Sequence, residues 1–410
     1  SPLCFPSVRT QTPLQQWHGI ERRMNLLSQP AASESVIPVV NQILRMPAHN
    51  LDSSYSNPRA HWLTEVKGWN PEPLNFFSHK PTTGTKAASS YPEATTFGTL
   101  MHRLIEIGLE NPAIQTAPPV LPLPDAWVYD GKDMLDDAET IRRVMAEEGI
   151  GVDESDIQLA LATEKRLGEL GRLVRQGLLG QYASGKEYQG HVVEGLRTEL
   201  PFYYVNKVEF SEVFRTGFSV DGTPVPLSRV DHVDIVFDGR ADLVLALRDS
   251  LGNGYLQVVD LKTKGCRDSF NPEDPLKGSP LQCYEGELLN PTPSNSAERT
   301  ILEQHTLQLT LYSLALESME QQKPESERRT ILPPSLLMGA SGRILQMSST
   351  EYEKAKITFS KHLEWMAELS ANPESTPEPP APSGDNVHTC PFCRGDIRLC
   401  ESDEEALGPR

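Results

Sequence analysis

The sequence lacks a long apolar run. No stretch approaches the roughly 18 to 20 unbroken apolar residues of a membrane span, and the start has no charged segment followed by an apolar one. Positive charge is scarce as well, because 38 Lys and Arg stand against 56 Asp and Glu, a net charge of -18. That balance excludes a protein that coats nucleic acid by charge alone. We expect a soluble intracellular protein of the cytoplasm, nucleus or organellar matrix, with no membrane partner.

Two further features are missing or rare. The sequence has no G-x-x-x-x-G-K-[ST] loop, which excludes ATP hydrolysis in the P-loop manner. Cysteine is sparse, with six residues, and three of them lie between positions 390 and 400. In a chain of this size such clustering indicates a metal or cluster site in a reducing compartment and not a disulfide framework. The first residue is Ser and not Met, which is compatible with a fragment or a processed product of a longer protein.

The periodicity of the apolar residues predicts an α/β fold. Helices are expected over 96–110, 137–148, 156–179, 297–321 and 350–369, and strands over 194–204, 230–237, 240–247, 255–263 and 336–347. The first 90 residues contain only short helical patterns, such as 38–46, and predict a helical N-terminal region. We therefore expect a mixed central sheet flanked by helices, with a long loop over 265–296.

Acidic and basic side chains are expected to meet on two neighbouring strands. Leu251-Gly252-Asn253-Gly254 is a turn signal, so the strands on either side of it should form an antiparallel hairpin. Asp260 and Lys262 are two residues apart and leave one face of a strand, and pairing can put Asp242 beside them. Two buried carboxylates need compensation, which Mg²⁺ or Mn²⁺ supplies. An Asp-x-Lys pair alone is more often a solvated salt bridge, but this strand is apolar enough to be buried.

Three more polar side chains lie on predicted helices. Gln308 and Tyr312 are four residues apart and share a face of a Leu-rich helix, from which they can point into a pocket. His102 follows Gly98, where a small residue permits close approach of backbone or ligand. A lone helical His is usually structural, and a polar pair such as Gln308 and Tyr312 usually lies at the surface, so neither carries a function by itself.

The order of these motifs resembles that of the RecB/AddA-type nuclease domains of the PD-(D/E)XK superfamily. The resemblance covers about residues 96–320 and rests on five strings, namely Gly98-Thr99-Leu100-Met101-His102-Arg103-Leu104-Ile105-Glu106, Arg197-Thr198-Glu199-Leu200-Pro201-Phe202, Gly239-Arg240-Ala241-Asp242-Leu243-Val244, Val259-Asp260-Leu261-Lys262-Thr263 and Gln308-Leu309-Thr310-Leu311-Tyr312-Ser313-Leu314-Ala315-Leu316. Each string is weak alone, and their shared order is what carries the resemblance. It implies a restriction-endonuclease-like fold.

The resemblance also implies roles for single residues. The expected ligands of a Mg²⁺ or Mn²⁺ ion are His102, Asp242, Asp260 and the Leu261 carbonyl. Lys262 would be the catalytic lysine, and Gln308 and Tyr312 would contact the DNA or order the site. The sequence departs from the family where Arg240-Ala241 replaces an apolar pair, which bears on substrate details more than on chemistry.

The cysteine cluster carries a second resemblance. Its members are Cys390, Cys393 and Cys400. They are similar to the C-terminal cysteine triplet of AddB-type iron-sulfur nucleases, in which a distant cysteine completes a 4Fe-4S cluster and the last spacing is usually one residue shorter. Cys4 is the positional candidate for that ligand, with Cys266 and Cys283 as alternatives. Zn²⁺ is the competing metal, because the three thiols and His388 would make a tetrahedral site.

These observations lead to one expected function and one alternative. We expect a deoxyribonuclease that cleaves single-stranded or end-containing DNA in repair or recombination, alongside a helicase domain or subunit. Exonuclease action is expected over endonuclease action. The alternative is an inactive nucleic-acid-binding or scaffold module of the same fold. The expected domains are an N-terminal region without an assigned role (1–90), the nuclease domain (91–371), a Pro-rich linker (372–384), and the cysteine cluster with an acidic tail (385–410).

Overall fold

The structure is a computed structural model that describes residues 39, 41–65, 94–109, 135–150, 157–174, 185, 187–218, 224–263, 296–339, 343–372, 378 and 379. Its strands are β1 (Gln42–Pro47), β2 (Glu187–Tyr188), β3 (His191–Phe218), β4 (Pro224–Arg248), β5 (Gly254–Lys262), β6 (Thr330–Ile331), β7 (Ser335–Met338) and β8 (Arg343–Gln346). Its helices are α1 (Asn50–Ser56), α2 (Pro58–Glu65), α3 (Ala94–Leu109), α4 (Ala138–Glu147), α5 (Ile157–Val174), α6 (Ser296–Gln304), α7 (Thr306–Gln321) and α8 (Ser349–Ala371).

All eight strands belong to one mixed sheet. Its order is β2-β3-β4-β5-β7-β8, with β1 added beside β4 and β6 beside β5. The consecutive strands β3, β4 and β5 pair antiparallel, whereas β5 pairs with β7 in parallel. Parallel strands need a long crossover, and the chain between β5 and β7 includes α6 and α7. The predicted α/β class, with a mixed sheet between helices, is confirmed.

The strand β4 changes its partner halfway along one edge. Its residues 233–238 pair with β1, and its residues 243–248 pair with β5. Between these two ladders, no described strand pairs with residues 239–242 on that edge. The sheet therefore opens into a fork, and Asp242 lies at its inner end.

Two hydrophobic clusters cover the sheet. One joins α3, α4 and α5 to β5 and β7, and the other joins β1 and α1 to α7 and α8. The alternation along β4 reverses where the fork begins. The second cluster takes Val233, Ile235, Phe237, Ala241, Val244 and Ala246, and the first takes Leu243, Leu245 and Leu247. Since side chains alternate along a regular strand, this reversal marks a local irregularity between Ala241 and Leu243.

The prediction of a helix over 38–46 is wrong. Residues 42–47 form β1, which pairs in parallel with β4 from Gln42 opposite Val233 to Pro47 opposite Asp238. Burial along the strand alternates over its first four residues, with Ile43 63 % exposed. Short apolar runs do not distinguish helix from strand, and here a partner about 190 positions away decides. Residues 42–65, which lie in the expected N-terminal region, are thus part of the sheet and its core.

Several element boundaries differ from those predicted. The strands expected over 230–237 and 240–247 form one continuous strand, and the strand expected over 336–347 is the hairpin of β7 and β8. The helix expected over 297–321 is divided at His305 into α6 and α7. The last helix begins one residue earlier than expected, because Ser348 and Glu351 make its capping box. The hairpin of β4 and β5 around Gly252 is confirmed.

None of the helices in the described part of the chain is both long and apolar enough to span a membrane. Within the predicted linker the structure describes Asn372, Glu378 and Pro379, and Pro379 is buried. The cysteine positions and the loop over 265–295 lie outside the described residues.

Candidate metal centre

Asp242 lies directly beyond the last pair of the ladder between β4 and β5, and its side chain takes the place of a backbone acceptor. Leu243 pairs with Val259, so the next position of β5 that faces β4 is Leu261. Its backbone N–H donates to Asp242 Oδ2 at 2.7 Å, in place of a backbone carbonyl. In an extended strand the N–H and C=O of one residue point to the same edge, so the Leu261 carbonyl also points into the fork.

His102 reaches the fork from α3. Its Nδ1 lies 3.5 Å from Asp242 Oδ1, and its side chain is about one-third exposed. The helix comes close to the end of β5, because a Cβ at Gly98 would lie 3.1 Å from Thr263 Oγ1. The predicted role of Gly98 in close approach is therefore seen as contact with the residue that follows the Asp-x-Lys run.

Glu199 is a third potential ligand, which belongs to the second of the five motif strings and has no predicted role. Ligand atoms of His102, Glu199 and Asp242 all lie within 4.8 Å of one another, and each residue is partly buried. Glu199 lies opposite Asp242 in the hairpin, between the Thr198–Leu243 and Leu200–Ala241 pairs. Its φ of 47° is unusual for a residue with a side chain and is a form of backbone strain that occurs at binding sites.

A second group of side chains connects β5 to α7. Lys262 Nζ lies 2.8 Å from Asp260 Oδ2 and donates to Gln308 Oε1 at 3.2 Å. Gln308 in turn donates through Nε2 to the Tyr312 hydroxyl at 2.5 Å. The contact of Asp260 Oδ2 with Lys262 is an ion pair without good hydrogen-bond angles, and this oxygen is buried. The predicted pairs Asp260/Lys262 and Gln308/Tyr312 are thus brought together in one chain of contacts.

Asp52 of α1 supports this chain from a part of the sequence to which no role was assigned. Its Oδ1 accepts the backbone N–H of Gln308 at 3.0 Å, in the first turn of α7. Its Oδ2 lies 3.2 Å from His305 Nδ1. A carboxylate in the first turn satisfies a free helix N–H and complements the helix dipole. Asp52 thereby fixes the end of α7 from which Gln308 reaches Lys262.

Opposite charges shift the pKa values of His102 and Asp242 towards their charged forms. Burial disfavours a charged His102, but the carboxylates of Asp242, Asp260 and Glu199 outweigh it and raise the pKa of the imidazole above its ordinary value. Burial likewise disfavours a charged Asp242, but His102, Lys262 and the N–H of Leu261 outweigh it and lower the pKa of this carboxyl. The two shifts share one cause, which is the attraction between the imidazole and the carboxylate.

The remaining carboxyls hold protons more tightly than usual. Burial and the charge of Asp242 raise the pKa of Glu199 to about 7. Burial also raises the pKa of Asp260, against the attraction of Lys262. The pKa of Lys262 is raised although burial opposes its charge, because Asp260 and Asp242 stabilise the ammonium. The site is therefore rich in acid groups whose charge depends on what binds among them.

The structure brings some of the predicted ligand residues together and leaves one of them outside the group. It brings His102 and Asp242 together and places the Leu261 backbone beside them. Asp260 is not part of the group whose ligand atoms lie within 4.8 Å of one another, in which Glu199 takes the third position. Cys4, Cys390, Cys393 and Cys400 lie outside the described residues, so the expected cysteine site stays a prediction.

A comparison with protein-family models found no match for this chain, and a search of curated proteins found no similar sequence.

Proposed function

We propose that this chain is a metal-dependent nuclease with a restriction-endonuclease-like fold of the RecB/AddA type. The observation that carries the proposal is the fork along β4, between its ladders with β1 and β5, where His102, Glu199 and Asp242 converge beside a buried Asp260 and Lys262. A histidine and acidic side chains around one point, with an ammonium next to them, suit the binding of a cation and of a phosphate. The motif order in the sequence supports the same reading independently.

The donor set fits Mn²⁺ or Mg²⁺. Carboxylate and carbonyl oxygens suit both ions, and a single imidazole is more acceptable to Mn²⁺ than to Mg²⁺. His102, Glu199, Asp242 and the Leu261 carbonyl would hold the ion, and Asp260 could join if it released Lys262. When bound, such an ion lowers the pKa of a water molecule and stabilises negative charge on a phosphate.

The side chains of the protein have separate tasks in this proposal. Lys262 neutralises charge that develops on the phosphate or orients the attacking water, and Asp260 and Gln308 hold its Nζ at the mouth of the fork. Burial raises the pKa of Tyr312, which keeps its hydroxyl protonated. That hydroxyl accepts a hydrogen bond from Gln308 and so fixes the amide that receives Lys262. Each step depends on a contact made within the chain.

We propose DNA as the substrate, single-stranded or with free ends, and exonuclease action in repair or recombination. The chain carries a net charge of -18, which favours local contact at a narrow site over binding along a duplex. The sequence has no P-loop, so a helicase domain or subunit would supply unwinding. The cysteine cluster would hold a 4Fe-4S cluster, or Zn²⁺, outside the described residues.

The test is a cleavage assay on single-stranded, blunt and circular DNA with Mn²⁺ or Mg²⁺. We expect Lys262→Ala and Asp242→Asn to lower the rate by about a hundredfold or more, since each removes a preorganised charge. Lys207→Ala is the matched control, because Lys207 forms an exposed ion pair with Glu209 and is not one of the residues at the fork. Unchanged cleavage in both site variants would falsify the assigned centre. DNA binding without cleavage in any divalent ion would support the inactive module instead.

A further inference from the structure

A short segment that follows α8 is bound to the surface of the domain by one arginine side chain. Arg59 of α2 contacts Glu378 through Nη2 and Oε1 at 2.6 Å. Its Nη1 donates to the carbonyl of Pro379 at 3.2 Å. One guanidinium thus holds both an acidic side chain and the backbone of the proline that follows it. Residues 372–384 are predicted to be a linker without contacts to the domain, but Glu378 and Pro379 both contact Arg59.

The segment borders an aromatic groove between α1, α2 and α8. The groove is lined by Tyr55, Pro58, Thr358, Lys361, His362 and Trp365, and Glu378 and Pro379 form one wall of it. His362 and Trp365 stack with ring centroids 5.5 Å apart, and Tyr55 meets His362 edge-on at 5.3 Å. Rigid aromatic surfaces of this kind bind proline rings, whose backbone is already restricted and loses little entropy on docking.

Arg59 is poorly satisfied without its partner segment. Its side chain is only 16 % exposed, and among the described residues its buried Nε has no hydrogen-bond partner. A guanidinium in such a position needs an anion or carbonyl groups to offset the loss of water. Glu378 and the Pro379 carbonyl supply both, so the pairing favours an acidic residue directly followed by proline.

We propose that Glu378–Pro379 is a docked segment of the chain, which Arg59 holds in place as one wall of this groove. The docking fixes Glu378 and Pro379 against α2.

The groove is also connected to the helix that carries Asp52. Ser54 of α1 forms a hydrogen bond of 2.9 Å with His362 Nε2 in the floor of the groove, and two residues earlier Asp52 caps α7. One side of the groove and the cap of α7 therefore belong to the same short helix, α1. This part of the inference does not depend on the proposed nuclease activity.

The experiment measures how often Glu378–Pro379 separates from Arg59 in the full chain. A glutamate-specific protease cleaves after Glu374, and mass spectrometry follows the fragment that begins at Ser375. Arg59→Ala and Glu378→Gln should each raise the cleavage rate by about three- to tenfold, because cleavage follows the population of the undocked state. Rates are normalised to peptides of residues 370–384 with the same sequences, which removes differences in intrinsic cleavage.

Two further variants make the result decisive. The double variant Arg59→Ala with Glu378→Gln should raise the rate by clearly less than the product of the two single effects, as an interaction between these two residues requires. Arg142→Ala removes an ion pair to Glu164 elsewhere on the surface and should leave the rate unchanged. Glu378 lies outside every helix and strand, so Glu378→Gln does not threaten the fold. Wild-type cleavage in Glu378→Gln, or single effects that simply multiply in the double variant, would overturn the proposal.

Discussion

Metal binding at the fork should become stronger as the pH rises from 6 to 8. A ligand must lose its proton before it can bind an ion, so protons compete with the metal. The pKa of Glu199 is raised to about 7 by burial and the charge of Asp242. The pKa of His102 lies above its ordinary value as well, because the neighbouring carboxylates outweigh its burial. Both groups are therefore in the non-binding form at low pH, and both shifts act in the same direction.

The size of the effect follows from the pKa of Glu199. With a value of about 7, about one molecule in eleven has an ionised Glu199 at pH 6, and about ten in eleven do at pH 8. Glu199 alone should therefore strengthen the apparent affinity for Mn²⁺ about tenfold over this interval. Deprotonation of His102 adds to that factor. A carboxylate with an ordinary pKa would contribute almost nothing, since it is ionised at both pH values.

The assay is a titration with Mn²⁺ at pH 6, 7 and 8 in which electron paramagnetic resonance counts the unbound ion. The Glu199→Gln variant should bind Mn²⁺ more weakly than the wild type at pH 8. The ratio of its affinities at pH 8 and pH 6 should be about tenfold smaller than that of the wild type. Glu209→Gln is the matched control, because this glutamate lies on the same strand and is well exposed. Equal affinity at all three pH values, or an undiminished slope in Glu199→Gln, would refute the reasoning about the ligand set.

Three further outcomes follow from buried contacts. Asp52→Ala should lower the free energy of unfolding by about 1 kcal/mol and the Tm by about 2–4 °C, whereas Asp52→Asn, which can still cap α7, should keep most of the stability in thermal denaturation. Burial lowers the pKa of His362 to about 4, so acid favours the unfolded state, which binds the proton from about pH 6.5; denaturant titrations should show the wild type losing about 2 kcal/mol more than His362→Gln between pH 7.5 and pH 5. Tyr312→Phe should slow DNA cleavage but not abolish it, since Gln308 keeps its contact with Lys262, and equal loss in Tyr312→Phe and Lys262→Ala would contradict this.

The part of the site that lies on local patterns could be predicted from the sequence. The turn at Gly252 fixes the hairpin, and the two-residue spacing of Asp260 and Lys262 puts both on the side of α7. The four-residue spacing of Gln308 and Tyr312 likewise predicts their contact. In each case one short-range rule determines the geometry.

The missing parts depend on contacts between distant segments. β1 looked helical because its strand identity comes from pairing with β4 and not from its own residues. Asp52 could not be placed, because its role exists only where α1 meets the start of α7. Glu199 had one usable signal, namely its register opposite Asp242 in the antiparallel hairpin. Counting that register needs the bulges in β3, which the sequence does not mark.

The backbone contact of Asp242 has a consequence for the choice of ion. One of its carboxylate oxygens is already engaged by the Leu261 N–H, which leaves Oδ1 on the side of His102. An ion here would meet a single-oxygen donor from this residue, whereas Ca²⁺ fills its larger shell with carboxylates that give both oxygens. The opening in the sheet should thus act as a size filter, in which Ca²⁺ occupies the position poorly and competes with smaller octahedral ions only at high concentration.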